Sequence, residues 1–403
     1  MTAPTVIGWD VGGAHVKACL TQRGAVVDVM QWACPLWLGL DHLAAVLASA
    51  RARWPGLPQA HHAITMTGEM VDLFPNREAG VQGIAGAMER ALCADAPSHA
   101  GSAAPRVRFF AGDAGWCGAA DVAARWQAVA SANWLASARH AALRLASSDR
   151  PDAIHGVLID IGSTTTDLIA FDRTGATTRN RSDAERLAGG ELVYHGVVRT
   201  PLCAVAPRIV WRGTAHNVMN EFFATAADVY RATGELDPAH DPHPSADHAA
   251  KDLPATHQRL ARMIGLDARD GSDADWLALA RAWRAAQVAT LGDELRRVIE
   301  ARGDDDGGDD GNDDGGDEGG DAASRVGPAA QIVAAGCGAF LVPEVLARAR
   351  GAHAPIHRVV TYGERVAQIA PGLDPARHAA LQRWATVCAP CVAVAALFER
   401  EQR

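Results

Sequence analysis

Long apolar runs are missing from this chain of 403 residues: none approaches the ~18–20 residues that a membrane-crossing helix needs. The opening stretch, MTAPTVIGWD, has no basic start leading into an apolar segment, so no secretory signal is expected. A Gly-x-x-x-x-Gly-Lys-Ser/Thr loop is absent as well, which excludes a P-loop nucleotidase. There is also no basic excess. The formal net charge is −9, but residues 303–321 alone hold nine Asp and one Glu with no basic residue, and −9 + 10 leaves +1 for the rest. A nearly neutral body has no electrostatic footprint for nucleic acid. The eight cysteines are scattered through a long chain, unlike a small disulfide scaffold. A reducing, cytoplasmic setting with small-molecule partners is the expectation; a homo-oligomer stays open.

What is present is an α/β grammar, read twice. Residues 6–9, 15–20 and 25–33 read as strands, residues 40–53 as a helix with Leu40, Leu43 and Leu47 at helical spacing, and 63–67 as a strand. A helix over 80–94, a strand over 107–110 and an Ala-rich helical stretch over 117–146 follow. The pattern restarts at 156 with strands at 156–159 and 168–171, then helices at 183–198, 215–232, 255–265 and 274–301. Residues 331–335 form a last strand before a helix, and 376–400 a closing helix. The Pro/His/Asp-rich tract 235–256 reads as a loop, and the Asp/Gly tract 303–321 as disordered, because nothing in it can bury apolar area. Two lobes are expected, 1–150 and 151–403, the second with a helical insertion over 180–300.

The chemistry sits in an internal repeat. Asp10-Val-Gly12-Gly13-Ala-His15-Val-Lys17 and Asp160-Ile-Gly162-Ser163-Thr164-Thr165-Thr166-Asp167 each follow an apolar strand and precede another. An Asp at a strand end can hold Mg²⁺, which prefers hard oxygen ligands. The Gly allows a tight turn, and the next backbone N–H groups and hydroxyls can meet phosphate oxygens. Lys17 adds a point charge. Two such hairpins facing each other are expected to clamp a diphosphate or a nucleotide tail. Gly336-Cys337-Gly338, between a strand and a helix, is a third element, open to a nucleoside or a similar group.

Taken together these segments resemble the acetate-kinase, actin, sugar-kinase and heat-shock-chaperone superfamily. The chain is most similar to its hydantoinase A/oxoprolinase-like members, and among these to the branch linked to tetrahydromethanopterin one-carbon transfer. The resemblance runs through Gly8–Ala14, Thr65-Met-Thr-Gly-Glu69-Met-Val-Asp72, Asp160–Asp167, Arg186-Leu-Ala-Gly-Gly-Glu191 to Pro201, Ala261–Gly265 and Ala335–Gly338. It implies two ribonuclease H-like (actin-like ATPase) domains, mixed sheets flanked by helices, with a cleft between them.

It also implies a transferase of methanofuran or methylofuran biosynthesis, in which a phenol oxygen displaces diphosphate from an aminomethylfuran diphosphate. On that reading Asp10 and Asp160 hold Mg²⁺, and Gly12, Gly13, Ser163, Thr164, Thr165, Gly336 and Gly338 line the diphosphate or cofactor. Lys17 stabilises the leaving charge. A phenol of pKa ~10 benefits from a base, for which Glu69, Asp113 and Asp167 are candidates, Glu69 first. Asp167 is alternatively an anchor for Lys17. Arg199 suits a substrate carboxylate, and His15 is either a phosphate contact or a solvent-facing turn residue. ATP binding stays open, since an ATP-dependent kinase, an amidohydrolase or a nucleotide-gated binding module would use the same hairpins.

Other signals are discounted. Cys388-Ala-Pro-Cys391 lacks a second pair and reads as buried thiols. His240, His243, His248 and His257 are too irregular for a metal site, and the Asp/Gly tract fits no calcium-loop pattern.

Overall fold

The computed structural model describes residues 5–93, 107–145, 156–305, 331–350 and 359–402, with 302–305 as backbone. The chain divides into two compact units. Unit 1 comprises 1–154, 171–183 and 360–403; unit 2 comprises 155–170 and 184–359. The expected second lobe therefore loses its C-terminal segment, because 360–403 returns to unit 1.

Unit 1 is built on β1 (Thr5–Val11), β2 (His15–Gln22), β3 (Ala25–Ala33), β4 (His61–Met66), β5 (Val107–Phe110) and β6 (Trp116–Cys117), in the order β3-β2-β1-β4-β5-β6. β1 pairs antiparallel with β2 and parallel with β4, which aligns Asp10 with Lys17 on one side and with Thr65 on the other. Alternation along β1 sends Trp9 to one face and Gly8 and Asp10 to the other. Trp9 is fully buried edge-on to Trp54, and its indole N–H donates to His62 Nδ1 at 3.2 Å. On the opposite face, the helix Ala389–Glu401 presses so closely that a Cβ at Gly8 would lie 2.9 Å from the Ala395 methyl. This packing draws the C-terminus into unit 1.

Unit 2 rests on β7 (Gly156–Ile161), most of β8 (Thr166–Asp172), β10 (Leu192–Val193) and β13 (Gln331–Ala335), in the order β10-β8-β7-β13; β9 (Gly175–Ala176), which pairs with β8, falls in unit 1, and β14 (Val359–Thr361), which pairs with β13, falls at the boundary. The parallel β7–β13 register aligns Asp160 with Ala335. A two-stranded ribbon, β11 (Arg208–Trp211) and β12 (Thr214–Asn217), stands apart. Helices Leu253–Arg262 and Asp273–Asp305 complete the unit's core around Trp276 and Trp283.

Four helix expectations change. The 183–198 helix stops at Gly189, where Gly190 takes φ +79° and the chain turns into β10. The 215–232 helix becomes β12 plus Ala226–Ala232, because Arg212 and Gly213 at φ +48° and +77° form a two-residue hairpin turn. The 117–146 stretch is interrupted: Trp126–Val129 and Asn133–Leu145 are separated by Ser131 at φ +50°. The closing helix is two helices, Pro375–Val387 and Ala389–Glu401, meeting at 95°. Pro390 has no N–H to continue the first helix. No single helix among the described residues is long and apolar enough to cross a membrane. Beyond Asp305 the acidic tract lies outside the described residues.

Candidate functional site

The two hairpins close in the same way. The Gly12 N–H donates to the His15 carbonyl at 2.9 Å, and the Gly162 N–H to the Thr165 carbonyl at 2.8 Å. In each unit the loop after the parallel neighbour strand then docks on the hairpin. Gly68, beyond β4, donates its N–H to the Val11 carbonyl at 3.0 Å, and Gly338, beyond β13, to the Ile161 carbonyl at 2.8 Å. The repeat thus extends from sequence into matched hydrogen bonds.

In unit 1 the docked loop delivers Glu69. A Cβ at Gly68 would sit 3.1 Å from the Gly12 carbonyl carbon, so the glycine permits this close approach to the turn. Glu69 is fully buried. Its Oε1 accepts from Ser131 Oγ at 2.7 Å and from Arg77 Nη2 at 3.0 Å; its Oε2 has no hydrogen-bond partner among the described residues. Ser131 Oγ also lies 3.0 Å from Asp183 Oδ2, and Arg77 Nη2 3.1 Å from the same oxygen. Burial pushes the Glu69 carboxyl above the usual carboxylate range, against the opposing pull of Ser131 and Arg77. An unsatisfied, buried, proton-retaining carboxyl on a strand-end loop is suited to proton transfer.

Asp10 is 6% exposed, and Thr65, its register partner, is buried with no partner for Oγ1 among the described residues. Lys17 donates to the Val387 carbonyl at 3.3 Å, so the helix Pro375–Val387 fixes the ammonium. His15 is 5% exposed, which excludes the solvent-facing turn histidine. Asp113 is a poor base. Its side chain is 55% exposed and ion-paired at 2.6 Å to both Arg139 and Arg181. Partial burial would raise its carboxyl, but the two guanidinium groups outweigh that and hold it below the usual range.

In unit 2 the docked loop delivers two glycines that pack against the turn. A Cβ at Gly336, whose φ is +81°, would overlap the Ile161 carbonyl oxygen and reach within 2.5 Å of Asp160 Oδ1, and one at Gly338 within 2.7 Å of Val197. Only glycine permits this close approach of the loop to Ile161 and Asp160. Residues 196–199 lie along the other side of the turn: the Val197 N–H donates to the Gly162 carbonyl at 3.0 Å and the Arg199 N–H to the Ser163 carbonyl at 2.8 Å. Arg199 Nη1 reaches Thr164 Oγ1 at 3.4 Å, and the Ser163 and Thr164 hydroxyls are 3.5 Å apart. A cation and two hydroxyls therefore converge on this turn, an arrangement that suits an anion. Asp167 is ion-paired at 2.6 Å to Arg186, which is 2% exposed. Asp167 thus neutralises a buried guanidinium.

One carboxylate per hairpin suits Mg²⁺, which keeps water and substrate oxygens in most of its coordination positions. The orphaned Thr65 hydroxyl beside Asp10 is compatible with such an ion. No group of three or more His, Cys, Asp or Glu among the described residues makes a preformed metal cage, and Cys388 and Cys391 are buried free thiols.

Sequence reasoning missed Arg77, Ser131 and Asp183. The Arg186 and Gly196 segment was visible only as part of the resemblance. Ser131 had no local signal, since its left-handed backbone is set by the chain around it.

Comparison with known proteins gives the same family reading. The (4-{4-[2-(gamma-L-glutamylamino)ethyl]phenoxymethyl}furan-2-yl)methanamine synthase of Methanocaldococcus jannaschii is 27% identical over 263 residues, 65% of this chain and 72% of that protein. The synthase of the same name from Methanococcus vannielii is 42% identical over 73 residues, 18% of this chain and 32% of that protein. Among solved structures, a ROK family glucokinase from Streptomyces griseus aligns over 97% of this chain and 98% of its own at 14% identity, TM-score 0.43. Component A of (R)-2-hydroxyglutaryl-CoA dehydratase from Acidaminococcus fermentans aligns over 99% of each chain at 9% identity, TM-score 0.41. Residues 62–310, more than half of the sequence and including Glu69, the 160–167 hairpin and Arg199, match the hydantoinase/oxoprolinase family, and the chain belongs to this family of enzymes.

Proposed function

We propose that the protein is an ether-forming transferase that joins a phenol oxygen to the furfuryl carbon of an aminomethylfuran, with diphosphate as the leaving group. The observation that carries this reading is Glu69, buried, held at one oxygen by Ser131 and Arg77, with its other oxygen unpartnered among the described residues. The names of the two synthase relatives describe a phenoxymethyl-furan product, and making that linkage requires a phenol to lose its proton.

Glu69 takes that proton at Oε2. Around its loop, unit 1 exposes four large apolar side chains, Trp37 (36%), Leu38 (66%), Met70 (54%) and Leu73 (39%). The two segments that carry them are tied to the same turn. The Leu36 N–H donates to the Gly13 carbonyl at 3.0 Å, and Val71 lies 2.8 Å from where a Gly13 Cβ would be. Exposed apolar side chains grouped beside a buried acid suit flat aromatic substrates.

The 162–165 turn, with Ser163, Thr164, Thr165 and Arg199, is the proposed holder of the diphosphate oxygens. Asp160 in unit 2 and Asp10 in unit 1 are each a proposed Mg²⁺ ligand, and Mg²⁺ would supply charge neutralisation of the leaving group. The furan ring stabilises positive charge at the furfuryl carbon, so loss of diphosphate is eased more by holding the anion than by a strong nucleophile.

The test is to incubate the protein with Mg²⁺, aminomethylfuran diphosphate and a tyramine or tyrosine phenol. Mass spectrometry should find the ether in a one-to-one ratio with released diphosphate. No ether and no diphosphate would overturn the assignment. Sustained ATP hydrolysis coupled to opening of a cyclic amide would replace it with an amidohydrolase.

A further inference from the structure

Ser131 bridges two carboxyl groups with one hydroxyl. Its Oγ is 2.7 Å from Glu69 Oε1 and 3.0 Å from Asp183 Oδ2. A hydroxyl has a single proton to donate, so it serves only one ionised carboxylate. The other bond forms only if that carboxyl carries a proton and donates it to Oγ. Arg77 is a cation shared by both, 3.0 Å from Glu69, 3.1 Å from Asp183 and 3.2 Å from Ser131 Oγ. The two carboxyl groups thus share one guanidinium and one hydroxyl. The two ends differ in access to water: Glu69 has a fully buried side chain, whereas Asp183 is 13% exposed. Ser131 is held at φ +50°, where a residue with a Cβ is strained, so the fold maintains an unfavourable backbone to place this hydroxyl.

We infer that Glu69, Ser131 and Asp183 form a proton relay that ionises Glu69 before each turnover. In the loaded state Glu69 Oε1–H donates to Ser131 Oγ, and Ser131 Oγ–H donates to the Asp183 carboxylate. The Glu69 proton passes to Ser131 Oγ while the Ser131 proton passes to Asp183 Oδ2. One O–H bond breaks at Glu69 and one forms at Asp183, and Ser131 ends as a hydroxyl donating to the new Glu69 carboxylate. Asp183 then gives its proton to water, and Glu69 is ready to accept the substrate's proton at Oε2. The relay rests on the assignment of Glu69 as base. Arg77, Ser131 and Asp183 act through Glu69 and are positioning residues.

Ser131→Gly removes the hydroxyl while tolerating the left-handed backbone, and Asp183→Asn keeps the shape while removing the proton acceptor. Each is expected to lower kcat at least about tenfold, within the range general acid–base groups contribute. KM for both substrates should stay near the parent value, and the acid limb of the kcat–pH profile should move. The double variant should be no slower than the slower single, because both interrupt one path. Parent-like kcat and an unmoved acid limb in both singles would overturn the relay. A second measurement is independent of the reaction: the infrared band of protonated Glu69, identified by its loss in Glu69→Gln, is followed against pH without substrate. Ser131→Gly should raise its midpoint, since a donor to the ionised form is lost, and an unchanged midpoint would also overturn the relay. If the parent protein forms no ether, the assigned reaction falls, while the infrared midpoint still judges the relay.

Discussion

The two hairpins begin from one design and end with opposite chemistry. Both place an Asp at a strand end, close the turn through a glycine N–H, and receive a second loop by a glycine N–H bond. In unit 1 that second loop buries a carboxyl that burial keeps protonated beyond the usual range. In unit 2 it carries Gly336 and Gly338, which pack close against Ile161 and Asp160, with Arg199 and hydroxyls around the turn. The ionic residue seven places after the Asp diverges too: Lys17 is tied to a helix-end carbonyl, and Asp167 neutralises buried Arg186. On the proposed function, a duplicated backbone supports a proton-handling half and an anion-holding half, because the side chains brought by the docking loop set the local electrostatics.

The division of labour can be broken from either side. The largest effect should come from Glu69→Gln, which keeps the shape but removes the base: kcat should fall by roughly 10²–10⁴. The same variant has a signature in stability. The folded-state pKa of Glu69 is raised, so its contribution is fully present below the unfolded carboxylate value and is lost as pH rises through the folded one. Thermal melts should therefore show Glu69→Gln matching the parent at low pH and gaining relative to it as pH rises. A constant difference across pH would remove Glu69 as a buried titrating group.

Next comes the buried pair of unit 2. Arg186→Met strands Asp167, 13% exposed, without its cation, and chemical denaturation should show a loss of about 3–5 kcal/mol. An unchanged midpoint would mean that Asp167 finds its neutralisation elsewhere. Asp160→Asn should leave stability near the parent value but reduce turnover at least ~100-fold, as expected for a major electrostatic contribution at the leaving group. Near-normal rates would take Asp160 out of the anion-holding half. The smallest effect is expected from Trp37→Ala, with KM for the phenol raised about tenfold by the loss of one aromatic contact and kcat little changed. A change in kcat alone would remove Trp37 from substrate binding.

Most strands and the long helices were legible because their apolar spacing matches the burial they acquire: β1, β3, β5, β7 and β13 fall where alternation and apolar runs place them. The misplaced helices were those ended by features with weak sequence contrast, the Arg212-Gly213 turn, the Gly189-Gly190 stop and Pro390 in an apolar stretch. Glu69, Asp160 and Arg199 could be singled out because each sits in a strand-end or turn motif. Arg77 and Asp183 sit at ordinary helix starts, and Ser131 in an Ala-rich segment, so nothing local distinguishes them. Asp113 had the same strand-end signature as Glu69, yet two arginines distant in sequence keep it charged and exposed.

By itself the sequence determined the repeat, the strand-end aspartates and the glycines of the turns, because backbone geometry and hard-oxygen chemistry restrict which residue types can stand there. Only the tertiary structure decided that Glu69, Ser131 and Asp183 meet, that Asp167 pairs with Arg186 and that the C-terminal helix closes on Gly8. Burial and proximity set proton affinities and pairings, and both depend on which distant segments fold together.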